Sequence, residues 1–358
     1  MTFLLPEPPE LGAETAPALR WGVIGTGIGV TFTNSVHAHT PQRVVAIAGR
    51  DPQKTAMAAS AIGVPRWYTD NRALIEDSEV EAVYISTPHP SHAEIALEAI
   101  TAGKPVLIEK PMAMSEAETR TVVDAGRRAG VLVMEAMWTR YLPQSSVLRA
   151  ILAEGLLGEL TYMRADFGFS MPFDTDSRLW NARLGGGALL DAGIYPIALS
   201  SMVLGEPQEI LTSGTVMPDG VDATAHLQLL HTGNEVSQLT TSLRGWLAAS
   251  AEVVGTAGRV ELAPAFFAPT QLTVTIGPWG GQETATWRHP WPADGSRPTD
   301  GYAYEAVAFA SYVAEGRLES PLHTHGETLS IARTIETARR QLVAAGRVAR
   351  VAAEGTLG

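Results

Sequence analysis

The sequence predicts an α/β protein in two parts: a doubly wound parallel sheet, then an α+β unit on a large, open, mostly antiparallel sheet. Three observations predict it. Between residues 20 and 140, short apolar runs alternate with helix-length stretches. A glycine cluster directly follows the first run. Beyond residue 140 the apolar runs succeed one another with few helical stretches between them. A length of 358 residues exceeds what one typical core organises, so domains are expected at 20–140 and 141–358.

The elements follow in chain order. Residues 1–19 carry Glu7, Pro8, Pro9, Glu10 and Glu14 and lack the basic start of a secretory leader, so a flexible tail is expected. Segments 21–24, 43–48, 82–86, 106–108 and 131–134 read as buried strands. Helices are expected at 91–101 and 115–129, the second opened by Ser115 with Glu118 three residues on. Ligands of such a sheet sit at the carboxyl ends of its strands. A helix at 144–154 leads into 159–167, which alternates as a half-buried strand should, and further strands are expected at 223–230, 235–243, 251–254, 259–262 and 271–276. Residues 302–347 read as two helices split by 318–324.

Composition removes several classes of function. A net charge of −12 argues against nucleic acid, which needs a basic face. Arg127-Arg128 and Arg339-Arg340 fall in helical patterns and read as solvated faces. The absence of cysteine excludes disulfides, thiolate metal sites and a cysteine nucleophile, and fits a cytoplasmic location. No apolar run approaches the roughly 20 residues that span a bilayer, so a soluble protein is expected. No metal site is expected.

Gly25-Thr26-Gly27-Ile28-Gly29 follows the first strand, where glycines permit a tight turn and let backbone N–H groups approach a pyrophosphate at a helix start. The spacing is G-x-G-x-G, its third glycine one position earlier than in the common fingerprint. The second strand ends at Gly49-Arg50-Asp51, where NAD enzymes place an acid for the ribose. Arg50, with Lys54 a helical turn on, suits a 2′-phosphate and predicts NADP; Asp51 one residue later keeps NAD open, and a helix-capping segment Asp51-Pro52 with an incidental arginine is the alternative.

Lys110 lies just past a parallel strand, in Glu109-Lys110-Pro111, and Asp191 and Tyr195 stand four residues apart after a triple glycine. Alone, the lysine reads better as a surface loop charge, and the glycine-rich segment as a helix start. Together with Thr87-Pro88 and His92, these motifs resemble the Gfo/Idh/MocA family from about residue 20 to the last helix. The segment 134–143 and Tyr195 further resemble the branch of dimeric dihydrodiol dehydrogenases and NADP-linked D-xylose dehydrogenases. Inositol-dehydrogenase-like members usually carry histidine at the position of Tyr195, and many members carry asparagine at that of His89.

The resemblance implies a Rossmann domain and a catalytic pair, Lys110 and Tyr195, with Asp191 on a substrate hydroxyl. It places Thr87, Pro88, His92, Glu109, Lys110 and Arg140 near the cofactor and a cis peptide before Pro111. Trp138, Phe169 and Trp180 are expected to line the substrate pocket, with Phe167 and Trp246 as further candidates and core packing as the alternative for each. Tyr195 is expected as the acid/base, its phenol lowered by the Lys110 ammonium. The expected activity is hydride transfer between NADP and a sugar or cyclic diol. Keto-sugar reduction, a non-catalytic NADP sensor and a glucose–fructose-type enzyme that retains its cofactor are the alternatives. A homodimer through the second sheet is also expected.

Overall fold

Trp21, Val23, Val83, Ile85 and Val106–Ile108 are buried on both faces of a sheet, which is why they read as unbroken apolar runs. In the computed structural model, which describes residues 4–8, 12, 16–289 and 297–349, these runs form a parallel sheet. Its strands are β1 (Arg20–Ile24), β2 (Arg43–Ala48), β3 (Arg66–Tyr68), β4 (Ala82–Ile85), β5 (Val106–Glu109) and β6 (Val133–Ala136). The order β3-β2-β1-β4-β5-β6 reverses between β1 and β4, which opens a crevice at their carboxyl ends. Helices α1 (Ile28–His39), α2 (Pro52–Ala61), α3 (Asn71–Ile75), α4 (His92–Thr101) and α5 (Glu116–Ala129) connect the strands. Ser115 caps α5 by accepting from the Glu118 N–H. Of the expected tail, residues 4–8, 12 and 16–19 are described; Leu5 packs on the core of the second sheet, and Ala16 and Leu19 are buried rather than free.

α6 (Pro143–Ala153) leads into β7 (Leu160–Gly168), the central strand of a second sheet. β8 (Glu209–Val216), β9 (Asp222–Leu230), β10 (Val236–Ser242), β11 (Ala251–Gly255), β12 (Gly258–Leu262), β13 (Leu272–Ile276) and β14 (Glu283–Trp287) complete it. The order is β14-β13-β12-β11-β7-β10-β9-β8, antiparallel throughout except where β10 runs parallel to β7. The inner face packs on α6, α7 (Ile194–Leu204) and α9 (His325–Ala345) in one core that includes Met163, Val253, Leu148, Ile197 and Ile335. The helical run Ala182–Leu204 is apolar and long enough to cross a bilayer by length and composition, a feature the expectations passed over; 78% of its apolar window is buried within the protein.

α8 (Tyr302–Ala314) returns to the first sheet: Phe309 packs on Trp21, and Gln42 bonds the Ala306 carbonyl at 3.0 Å. Chain from beyond residue 300 therefore helps to cover the parallel sheet and brings Tyr302 to the crevice.

Candidate active site

The glycine turn is shaped by close approach. Gly25 has φ +123°, and a Cβ there would lie 2.5 Å from Ser86 Oγ at the end of β4. A Cβ on Gly29 would stand 2.6 Å from Val23, so this glycine lets α1 pack tightly on β1 despite its early position. Gly27 precedes α1, whose first turn has neither a side-chain cap nor an acid. Those backbone N–H groups suit a phosphate. At the tip of β2, a Cβ on Gly49 would meet Thr55 Oγ1 at 2.6 Å and Thr26 Cγ2 at 2.8 Å, which leaves no room for an acid. Asp51 is committed to capping α2, its Oδ1 accepting from Gln53 N at 3.0 Å and Lys54 N at 3.1 Å. The residues present fit a dinucleotide, with Arg50 in the cleft wall beside Thr26.

A cleft of about 740 Å³ runs from this turn, over Ser86, Thr87 and Pro88, to Lys110, Asp191 and Tyr195. The Lys110–Pro111 peptide is cis. Lys110 Nζ lies 4.7 Å from the Tyr195 ring centroid and donates to the Asp191 carbonyl at 2.8 Å. That carbonyl sits in a π-helical turn, Leu189–Gly193, before α7. Pro196 explains the turn: it has no N–H to offer the Ala192 carbonyl and its ring crowds the preceding turn, so a regular helix starts only at Ile194. Asp222 anchors the start of this segment by accepting from Leu189 N at 2.6 Å.

The electrostatics are those of a half-buried cluster at the cleft wall. Burial opposes the Lys110 ammonium, but Tyr195, Asp191 and Glu109 outweigh it and raise its pKa. Burial raises the Asp191 carboxyl, yet Lys110 and Arg178 hold it below the ordinary value. The Tyr195 phenol departs from expectation: burial raises its pKa more than Lys110 lowers it. The ring packs against Phe167 and Phe267, and dehydration of the phenolate exceeds the attraction of one cation. Burial also lifts Glu109, which accepts from the Tyr84 hydroxyl and from Lys110 N.

Several residues lie elsewhere than expected. Lys54 is exposed on α2, outside the cleft. Arg140 is buried, pairs with Glu327 at 2.9 Å and donates to the Ala198 carbonyl, so it acts between helices rather than on a cofactor. His92 is fully buried, its ring nitrogens 2.9 Å from the Pro111 carbonyl and 2.8 Å from that of Thr87, and it braces the loops behind the cleft. Trp180 is a core residue whose indole donates to the Pro172 carbonyl, and Phe169 packs on its cluster. Trp246 is 80% exposed and outside the cleft lining. Trp138 stacks on Tyr302 at 4.6 Å, with its indole N–H facing the Tyr195 phenol. The expectations passed over Arg178, Arg183, Tyr302 and Phe267, and gave His89 no role. His89 lines the cleft, 3.1 Å from the Gly185 carbonyl, and burial, then Lys110, push its pKa down to about 3.

The profile described as "Oxidoreductase family, NAD-binding Rossmann fold" matches residues 19–137, and the Gfo/Idh/MocA C-terminal domain matches 146–261. The chain belongs to the Gfo/Idh/MocA family. It is an NAD(P)-dependent oxidoreductase. Among its relatives is the trans-1,2-dihydrobenzene-1,2-diol dehydrogenase of Macaca fascicularis, 34% identical over 91% of this chain and 97% of that one. The Bos taurus enzyme of the same name is 35% identical over the same shares. A 3-ketoreductase from Actinomadura kijaniata, solved with NADP and TDP-benzene, superposes with a TM-score of 0.80 at 27% identity, covering 91% of this chain and 98% of that one. Levoglucosan dehydrogenase, solved with NADH and levoglucosan, shares the fold with a TM-score of 0.82 at 23% identity over 92% and 98%.

Proposed function

We propose that this Gfo/Idh/MocA enzyme uses NADP to oxidise a secondary alcohol of a cyclic diol or sugar. The observation that carries the reading is the meeting of Lys110 and Tyr195, 4.7 Å apart, beside Asp191 in a cleft that begins at the glycine turn. When bound, the cofactor supplies or accepts the hydride. Tyr195 in its phenolate form takes the alcohol proton, Lys110 stabilises the phenolate and the charge developing on the substrate oxygen, and Asp191 accepts a neighbouring hydroxyl. The identity to dihydrodiol dehydrogenases over 91% of the chain supports a diol. The absence of room for an acid at Gly49, with Arg50 beside it, supports NADP.

A second reading is carbonyl reduction, favoured by the raised phenol, which holds a proton ready for an alkoxide. The likeness to the 3-ketoreductase agrees with it. Assaying dihydrodiols, polyols, aldoses and the matching ketones with NADP⁺, NAD⁺ and their reduced forms separates the two. Turnover of none of them would overturn both.

The outer face of the second sheet supports pairing of two chains: Leu211 is 46% exposed there, beside His226 and Gln228 on a groove of about 350 Å³. A monomeric mass in solution would end that idea. The lack of cysteine supports a reducing, cytoplasmic setting.

A further inference from the structure

Arg178 lies in the stretch between β7 and the π-helical turn, on a helical turn of three residues, Arg178–Trp180. The next two side chains, Leu179 and Trp180, are buried with Ala188, Met217, Val221 and Leu243. Gly187 N donates to the Leu179 carbonyl and Gly186 N to that of Asn181, both at 3.0 Å. The turn is thus fixed by its own core, and its one cation is delivered to the cleft. There both Nη1 and Nη2 of Arg178 donate to the same oxygen, Oδ1 of Asp191, each at 3.0 Å. Among the described residues, the hydrogen bonds to this carboxylate fall on Oδ1. Oδ2 is left for a ligand.

We propose that Arg178 is a specificity-determining residue: it orients Asp191 so that Oδ2 accepts the hydroxyl next to the reacting carbon, and the pair selects uncharged vicinal diols. The chemistry follows from charge and geometry. A carboxylate clamped through one oxygen offers the other in a fixed direction, and its charge is already matched by the guanidinium. A neutral hydroxyl therefore fits, while a substrate carboxylate would displace Asp191 from its partner. A site built to accept a hydroxyl discriminates strongly against an analogue that lacks it. The inference rests on the diol reading of the site and adds the residue that enforces it.

The test is a cycle of two enzymes and two substrates. Wild type and Arg178→Gln are assayed with NADP⁺ on trans-cyclohexane-1,2-diol and on cyclohexanol. The expected result is a roughly 10- to 100-fold loss of kcat/KM on the diol, mostly through KM, with no more than about threefold further loss on the mono-alcohol. Arg178→Lys should restore part of the diol activity. Equal losses on both substrates, or none on either, would overturn the proposal, because a merely structural arginine does not distinguish them. A second measurement needs no turnover: carbon NMR of labelled aspartate follows the Asp191 carboxyl, which Lys110, Arg178 and His89 face. Its titration should move to higher pH in Arg178→Gln, and an unchanged titration would also overturn the proposal. If wild type oxidises neither alcohol, the diol reading falls, and the titration still decides whether Arg178 controls Asp191.

Discussion

Arg50→Ala should turn the enzyme away from NADP without harming its use of NAD. Arg50 stands in the cleft wall at the tip of β2, where Gly49 excludes an acidic side chain and Asp51 is occupied as the α2 cap. A hydrogen bond to a charged group contributes about 1.5–3 kcal/mol. Arg50 is exposed, and solvent screening favours the low end of that range. One such contact gives about a tenfold fall in kcat/KM for NADP, and a bidentate pair approaches a hundredfold. NAD, which lacks the phosphate, should change by less than about threefold. Asp51→Ala is the control. It removes two bonds to backbone N–H groups and should lower stability by about 1 kcal/mol, leaving the cofactor ratio in place. Initial rates with both cofactors decide the matter. An equal fall for NADP and NAD in Arg50→Ala, or a selective loss of NAD use in Asp51→Ala, would show that the phosphate reading is wrong.

Tyr195→Phe and Lys110→Ala should each lower kcat by about 10²- to 10⁴-fold, while cofactor affinity followed by fluorescence stays within a few-fold. Near-normal rates in both would remove them from the chemistry. Glu305 is fully buried, its carboxyl oxygens without a hydrogen-bond partner among the described residues, and burial raises its pKa well above the ordinary value. Its contribution to stability is complete below the unfolded-state pKa and is lost as pH rises toward the folded one. Glu305→Gln should therefore raise the melting temperature at pH 8 and leave it nearly unchanged at pH 4. Burial likewise raises Asp222 from 3.8 to about 6. Across that interval stability is lost as pH rises, so Asp222→Asn should gain on wild type by on the order of 3 kcal/mol between pH 4 and pH 7, read from urea unfolding. A pH-independent difference would refute the assignment.

Patterning revealed the centres of both sheets and hid every edge but β6. β3, β8 and β14, absent from the expectations, are all edge strands. Glu283–Trp287 reads ETATW, four of its five residues outside the buried class, and carries little periodic signal. Strands buried on both faces were legible because every residue had to be apolar. The strand expected at 131–134 forms at Val133–Ala136 instead, and its first N–H donates to the Leu318 carbonyl, a partner far away in sequence. That contact was not legible locally.

The site divides along the same line. Residues whose role depends on a short stretch of backbone, such as the Gly25 turn and the Asp51 cap, were legible from spacing. Residues whose role depends on a distant partner were not. Arg140 was placed near the cofactor by resemblance, yet it pairs with Glu327, brought in by α9. Trp180 looked like a pocket wall, yet its ring is the anchor that holds Arg178 in place. The Tyr195 phenol shows the same dependence in energetic form. The nearby lysine lowers its pKa, while burial, to which Phe267 on a different segment contributes a packed ring, raises it by more. A reading from one chain segment at a time names the charged partner and leaves out the wall, and here the wall decides which way the proton is held.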